Sequence, residues 1–304
     1  MSFSSDLKAE LCSKNVKARH CMIAELTGFL MVNGRVREDS LEIRVENKQI
    51  EEKMLTEAMY ALGISKETFS LVDEKIHHRK LVLSDPEATH RLMSNLHLVK
   101  EGRFLTFQSP PYMKECCGRS LIRGVFLGGG SVGEPSKAYQ MEFLLRTRAD
   151  AKQISNMLSS LQIQAKALQR KDERFVVYVK DGDSISNLLG IMGASGAMME
   201  FENTRILKDI RNSINREVNC DTANSLKTAN TGARQVDDIQ YIARKQGLSS
   251  LPVPLQEICQ IRLQFPYLSL QELGEEMDPP LGKSGVRHRL KKISDLADEL
   301  RKGE

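Results

Sequence analysis

The chain has 304 residues, 40% hydrophobic and 28% charged, with a formal net charge of +4. That length leaves room for two domains, the composition excludes a disordered chain, and the mild charge means any nucleic-acid surface must be a local patch. No apolar run approaches the ~18 residues of a membrane span. No signal peptide is expected at the opening "MSFSSDLKAELC", and no Walker A, H-E-x-x-H or G-x-S-x-G motif is present.

In chain order, residues 4–11 read as a short helix behind a serine cap, and 19–34 as a second helix ended by Gly34. Alternation over 35–47 predicts strands with a turn at Glu38–Ser40. Residues 48–64 are an amphipathic helix. Two strands flank a turn at His77 and His78, and a helix follows with Pro86 in its first turn. The order then restarts: helix 115–130, strand 137–147, helix 149–161, two strands around a charged turn from Arg170 to Glu173, and a short helix from Asp183. The repetition predicts an internal duplication, with repeats at about 17–97 and 113–193 inside a domain spanning 1–196. Residues 197–247 read as a linker of two long polar helices. Its Lys227, Thr228, Asn230, Arg234 and Gln235 suit either a DNA-backbone contact or a spacer. Residues 248–304 read as a small all-helical unit.

The cysteines are Cys12, Cys21, Cys116, Cys117, Cys220 and Cys259. None forms a C-x-x-C pair, so they read as reduced cytosolic thiols, and the missing local spacing argues against a metal or redox role for Cys116 and Cys117.

The clearest repetition lies in "LTGFLMVNG" (26–34) and "IRGVFLGGG" (122–130), 96 residues apart. Ala24 and Gly28 share a helix face, as do Ser120, Gly124 and Gly128. Glycine inside a helix costs roughly 0.5–1 kcal/mol against alanine. Matched glycines in both copies therefore point to two helices whose backbones approach closely about a pseudo-two-fold axis. The nonapeptides resemble the two LAGLIDADG motifs of homing endonucleases. That resemblance implies two αββαββα halves whose sheets form a DNA saddle. In active members an acidic residue at each motif's eighth place holds divalent metal for phosphodiester cleavage. Here those places are Asn33 and Gly129, while Glu38, Asp39 and Glu134 fall in the turns that follow. The scaffold reads as retained and its metal site as lost.

In the last unit, 254–265 is a helix interrupted by Pro266. Ser269 and Glu272 form a capping-box pattern, and the third helix begins at Ser284 or Gly285. On a helical wheel Val286, Leu290, Ile293, Ala297 and Leu300 form an apolar stripe. Ser284, Arg287, His288, Lys291 and Lys292 lie opposite, and Arg289 flanks the stripe. No acid occurs from Lys283 to Lys292, whereas Asp295, Asp298 and Glu299 follow. Acids normally enrich a helix's first turn. A basic start suits a recognition helix with its N-terminal end in the major groove. The candidate DNA-binding residues are Ser269, Lys283, Ser284, Gly285, Arg287, His288, Arg289, Lys291 and Lys292. On the first domain Arg35, Arg37, Arg44, Lys137, Arg146 and Lys166 are basic residues placed on strands, candidates for a non-specific grip.

Over nearly its whole length the chain is similar to the WhiA family, on "MSFSSDLKAEL", both nonapeptides, "NREVNCDTANSLKTANTGARQ" and "SLQELGEEMDPPLGKSGVRHRLKKI". The resemblance implies an α+β fold, a duplicated αββαββα LAGLIDADG-like domain followed by an all-α helix-turn-helix. It further implies a non-catalytic bacterial DNA-binding regulator of sporulation, cell division or chromosome segregation, cytoplasmic and nucleoid-associated. Double-stranded DNA is the expected partner, with room for a second regulatory protein. No catalytic residue, metal, cofactor, membrane or small-molecule substrate is expected. The rivals are an active homing endonuclease, disfavoured by Asn33 and Gly129, and a nucleoid or division adaptor acting through protein contacts.

Overall fold

The structure is a computed structural model and describes residues 2–302 except 39, 76–77, 111–112 and 171–173. The chain forms two compact units, Met1–Lys208 and Asp209–Glu304.

The first unit runs α1 (Phe3–Ser13), α2 (Arg19–Asn33), β1 (Gly34–Arg37), β2 (Ser40–Val45), α3 (Lys48–Leu62), β3 (Phe69–Lys75), β4 (His78–Leu83) and α4 (Pro86–Asn95). A hairpin β5 (Leu98–Glu101) and β6 (Phe104–Phe107) follows. Then come α5 (Glu115–Gly129), β7 (Gly130–Val132), β8 (Met141–Leu145), α6 (Arg148–Ser160), β9 (Lys166–Gln169), β10 (Phe175–Val179) and α7 (Gly182–Met192). α8 (Ser195–Gln246) leaves the first unit and enters the second, which continues with α9 (Val253–Gln264), α10 (Leu270–Glu275) and α11 (Lys283–Lys302).

Most helices start where a short polar side chain accepts a first-turn N–H. Ser2 takes Ser5 N, Asn47 takes Ile50 N, Asp85 takes Glu87 N, Thr147 takes Asp150 N and Asp181 takes Ser184 N. α8 is capped from a distance: the two carboxylate oxygens of Glu10 accept from Gly196 N and Ala197 N, each at 2.8 Å.

The expected duplication is present as two αββαββα repeats. One sheet has the order β3-β4-β2-β1-β6-β5 and the other β7-β8-β10-β9. Without the β5–β6 hairpin, the first order is the second one reversed, each sheet starting from the strand that leaves its glycine-rich helix. The hairpin, absent from the sequence reading, pairs beside β1 through Arg35 and Phe104. The expected turn at His77 and His78 falls partly outside the described residues, with His78 opening β4. The turn at Glu38–Ser40 is described at Glu38, and Asp39 lies outside. Residues 171–173 of the charged turn also lie outside.

α2 and α5 are the centre of the unit, buried from Ala24 to Val32 and from Ser120 to Leu127. A Cβ on Gly28 would meet Leu121 O at 2.2 Å, and one on Gly124 would meet Glu25 O at 1.9 Å. Gly28 and Gly124, like Glu25 and Leu121, are 96 residues apart, so the two approaches are the same contact seen from either side of the pseudo-two-fold. Gly34 and Gly130 do not end the helices as left-handed caps. Both are extended, at φ −76° and −80°, and lead straight into strands. Glycine is needed there for space, since a Cβ would strike Leu105 and Phe126 respectively.

A buried ionic network crosses the pair. Glu25 is wholly buried and accepts from Arg123 Nε at 2.8 Å, with Lys53 Nζ 3.2 Å from its other oxygen. Arg123 also donates to Met192 O and Ser120 Oγ. Burial, and the nearby Glu25 carboxylate, push the Glu57 carboxyl up, against the pull of Lys53.

Residues 195–246 are one continuous helix of 52 residues, where the sequence reading expected two. From Asp209 onward that helix belongs to the second unit. Ile239 and Ile242 share a buried cluster with Leu251, Cys259, Ile293 and Ala297. A second cluster joins Ile258, Leu273, Met277, Val286 and Leu290.

Candidate nucleic-acid interface

The second unit is built to hold α11 rigidly. The expected apolar stripe faces inward, with Val286, Leu290, Ile293 and Ala297 all buried. Its C-terminal half is pinned to α8 by buried Asp238, which accepts from Ser294 Oγ and Arg301 Nη1, each at 2.7 Å. A buried carboxylate with two such donors sets the rotation of α11, because turning the helix would strand the charge. At the other end Gly274 lets α10 approach the turn before α11: a Cβ there would lie 1.8 Å from Leu281 O.

The α9–α10 turn is organised by Arg262, only 2% exposed, whose Nη1 donates to Leu268 O at 2.7 Å and Pro266 O at 3.3 Å. Burial pulls its guanidinium below the usual range. Gly232 of α8 seats this turn, since a Cβ would fall 2.1 Å from Pro266 O. Ser269 and Glu272 complete the expected capping box, with Ser269 N donating to Glu272 Oε2 at 2.7 Å.

Six of the nine residues singled out in the sequence are exposed on the first turns of α11: Lys283, Ser284, Arg287, His288, Lys291 and Lys292. The other three serve the fold. Ser269 caps α10. Gly285 packs closely on Leu281, whose Cδ1 would be 2.7 Å from an added Cβ. Arg289 turns toward α9, donating to Pro254 O at 3.3 Å with Glu257 at 3.8 Å.

α8 contributes bases to the same region as α11. Lys227, Thr231 and Arg234 of α8 and Lys283, Arg287 and Lys291 of α11 line one cleft of about 560 Å³. Five of these six are bases, and Thr231 is neutral. Arg234 and Lys227 are exposed, and Asp298 lies 3.9 Å from Arg234. The signal available in sequence was the acid-free run from Thr222 to Val236 on a helix already bracketed by charges.

On the first unit, the outer face of the larger sheet carries Arg35, Arg37, Arg44 and Lys80, with the Glu42 carboxylate 3.3 Å from Arg37 Nε and 3.0 Å from Lys80 Nζ. Partial burial first, and then the neighbouring Arg44 and Arg103, pull the Arg35 guanidinium down. Lys166 is exposed on β9. Two of the six strand bases lie elsewhere: Lys137 is in a turn, and Arg146 follows β8 and donates to Val32 O at 3.0 Å.

At the eighth places of the nonapeptides, Asn33 Nδ2 donates to Gly128 O at 2.9 Å and Gly129 packs against Val32 and Leu144. Among the described residues, three or more metal-ligating side chains converge elsewhere, at His20, Cys21, Cys116 and Cys117. Local spacing in the sequence gave no hint of that grouping. Among the described residues no helix is long and apolar enough to cross a membrane.

The family model described as the WhiA LAGLIDADG-like domain matches residues 118–211, and that for the WhiA C-terminal HTH domain matches 214–297. A relative from Clostridium botulinum (strain Hall), called "Probable cell division protein WhiA", is 37% identical over 322 residues, covering 100% of both chains. One of the same name from Clostridium novyi is 38% identical with 99% of each chain covered. The crystal structure of full-length DUF199/WhiA from Thermatoga maritima shares the fold, with a TM-score of 0.59 at 23% identity over 98% of this chain and 99% of that one. Two degenerate αββαββα repeats followed by a helix-turn-helix, and relatives alike from end to end, make this chain a member of the WhiA family.

Proposed function

We propose that the chain is a sequence-selective, non-cleaving regulator that binds double-stranded DNA. The observation that carries this reading is the cleft of the second unit, where bases from α8 and the N-terminal half of α11 face a common space. A duplex backbone carries one charge per ~1.7 Å, so bases on two elements facing a common cleft gain phosphate contacts together. In this reading Arg287, His288 and Lys291 meet base edges, where arginine pairs bidentately with guanine. Lys283 and Lys292, with Lys227 and Arg234 of α8, hold phosphates and set register. The outer sheet face around Arg35, Arg37 and Arg44 supplies a non-specific grip. Arg289 and Ser269 act by positioning the helices.

The chain does not cut DNA in this account, because Asn33 and Gly129 offer no carboxylate pair to hold metal against a phosphate. The relatives' printed name directs the regulated sites toward cell division, in a cytoplasmic, nucleoid-associated protein. Binding of the full chain to duplexes selected from a random library, titrated against salt, tests the reading. Affinity that differs between selected and random duplexes and falls steeply with salt is expected. Equal and weak binding of both would favour an adaptor that works through protein contacts.

A further inference from the structure

We propose that the first turns of α2 and α5 form a zinc site with the ligand set His20, Cys21, Cys116 and Cys117. The ligand atoms all lie within 4.8 Å of one another. His20 Nδ1 is 3.2 Å from Cys117 Sγ, 3.3 Å from Cys21 Sγ and 3.9 Å from Cys116 Sγ. A tetrahedral zinc with sulfur at ~2.3 Å and nitrogen at ~2.0–2.1 Å needs ligand-to-ligand edges of about 3.5–3.8 Å. The histidine distances bracket that range, and the longest ligand-to-ligand separation, within 4.8 Å, exceeds it by about an ångström.

The arrangement follows from the duplication. His20 corresponds to Cys116 and Cys21 to Cys117, each pair 96 residues apart. Each repeat helix therefore brings one dyad, and the glycine contacts that join α2 to α5 bring the two dyads together. This explains why a search for local C-x-x-C spacing finds nothing: each half-site is a pair of adjacent residues, and its complement lies in the other repeat.

Burial and charge suit an ion. Cys21 and Cys117 are buried, whereas His20 and Cys116 are exposed, so two ligands anchor the site and two leave it open to solvent. Three thiolates, a neutral imidazole and Zn²⁺ sum to one negative charge, with three protons released on binding. That charge would sit at two helix N-termini, where the helix dipoles favour it. Both helices begin without a side-chain cap, at Ala18 and Lys114, in contrast to α1, α3, α4, α6 and α7.

The site is distinct from the nuclease centre implied by the nonapeptides. That centre belongs at the C-terminal ends of the same two helices, at Asn33 and Gly129. The tetrad lies at their N-terminal ends, where zinc would staple the repeats together in a protein that has lost the catalytic metals.

The test uses the full chain, prepared under reducing conditions and dialysed against trace zinc. Elemental analysis should find about one equivalent of zinc per chain. Cobalt should replace it with thiolate-to-metal charge-transfer absorption and the visible bands of a tetrahedral ion. Cys21→Ser with Cys117→Ser should lose the zinc and the cobalt spectrum. His20→Gln, at an exposed position that leaves the core intact, should weaken zinc binding at least tenfold while the circular dichroism stays that of the parent. Chelation of the parent should free the exposed Cys116 thiol for alkylation, while Cys21 and Cys117 stay buried. A folded parent with no zinc above background, a disulfide within the cluster in place of bound metal, or zinc retained by the Cys21→Ser, Cys117→Ser variant would overturn the proposal.

Discussion

Adding one methyl group at Gly124 should loosen the whole first unit. The Cβ of alanine there would stand 1.9 Å from Glu25 O and 2.8 Å from Glu25 C, both backbone atoms of the facing helix. A carbon-to-oxygen contact relaxes only near ~3.3 Å or beyond. The helices must therefore part by more than about 1 Å, and a gap of that size forfeits a quarter to a half of each dispersion contact across it. Overpacking of this kind costs about 1–3 kcal/mol, against which alanine's helix propensity returns roughly 0.5–1. Separation also stretches the buried Glu25–Arg123 pair, whose charges burial leaves dependent on each other. A net loss of about 1–2 kcal/mol corresponds to a fall of roughly 2–8 °C in melting temperature for a unit of this size. Leucine at Gly124 or Gly28 should do more. Gly118 supplies the control on the same helix, because its added Cβ would meet nothing nearer than Met157 Sδ at 3.8 Å. Gly118→Ala should be neutral or slightly stabilising. Thermal unfolding of the full-length variants by circular dichroism decides the matter. Gly124→Leu and Gly28→Leu proteins that melt like the parent would refute the paired-helix account.

Three further outcomes are expected. Supercoiled plasmid incubated with pure protein and Mg²⁺ or Mn²⁺ should stay intact, and nicking that follows the protein and stops on chelation would restore the nuclease reading. Asp150 is wholly buried, and burial pushes its carboxyl from 3.8 to about 6 despite hydrogen bonds from Thr147 Oγ1 and Phe107 N. The stability that protonation of this buried group supplies is full below about 3.8 and is lost as pH rises to about 6, by up to about 3 kcal/mol. Asp150→Asn should remove that slope in denaturant titrations at pH 4 to 8, and an unchanged slope would place the effect elsewhere. Replacing Lys227 and Arg234 together by alanine should weaken every duplex alike and make the salt dependence shallower by about two phosphate contacts, whereas an unchanged slope would remove α8 from the interface.

How much was legible depended on whether the cause was local. The Ser269–Glu272 capping box and the apolar stripe from Val286 to Ala297 follow from neighbours a few residues apart, and both form as expected. Gly28 and Gly124 were legible because the duplication repeats them. Residues 197–247 were expected as two helices and form one, and Gly232 inside it seats Pro266 O, a contact set by a residue 34 positions away. The β5–β6 hairpin was missed although Gly102, at φ 62°, sits in its turn, because the residues leading into it continue a helical pattern. Arg289 lies beside the bases of α11 in sequence, and only the position of α9 shows that it is held at Pro254. The His20–Cys117 grouping depends on two helices meeting across the repeat axis, a relation no local motif records. Deleting residues from Leu248 onward would be a poor probe of DNA reading, because it strips Ile239 and Ile242 of the partners they share in one core.

The central claim is that the N-terminal half of α11 reads sequence, and competition binding against a library of single-base variants at several salt concentrations tests it most directly. Arg287→Ala should lose about 1–3 kcal/mol of discrimination at one position of the site and leave the other positions unchanged. Lys292→Ala should weaken all variants equally and make the salt slope shallower by about one. If Arg287→Ala, His288→Ala and Lys291→Ala each lower affinity evenly for every variant in the library, α11 touches backbone alone and the account is wrong.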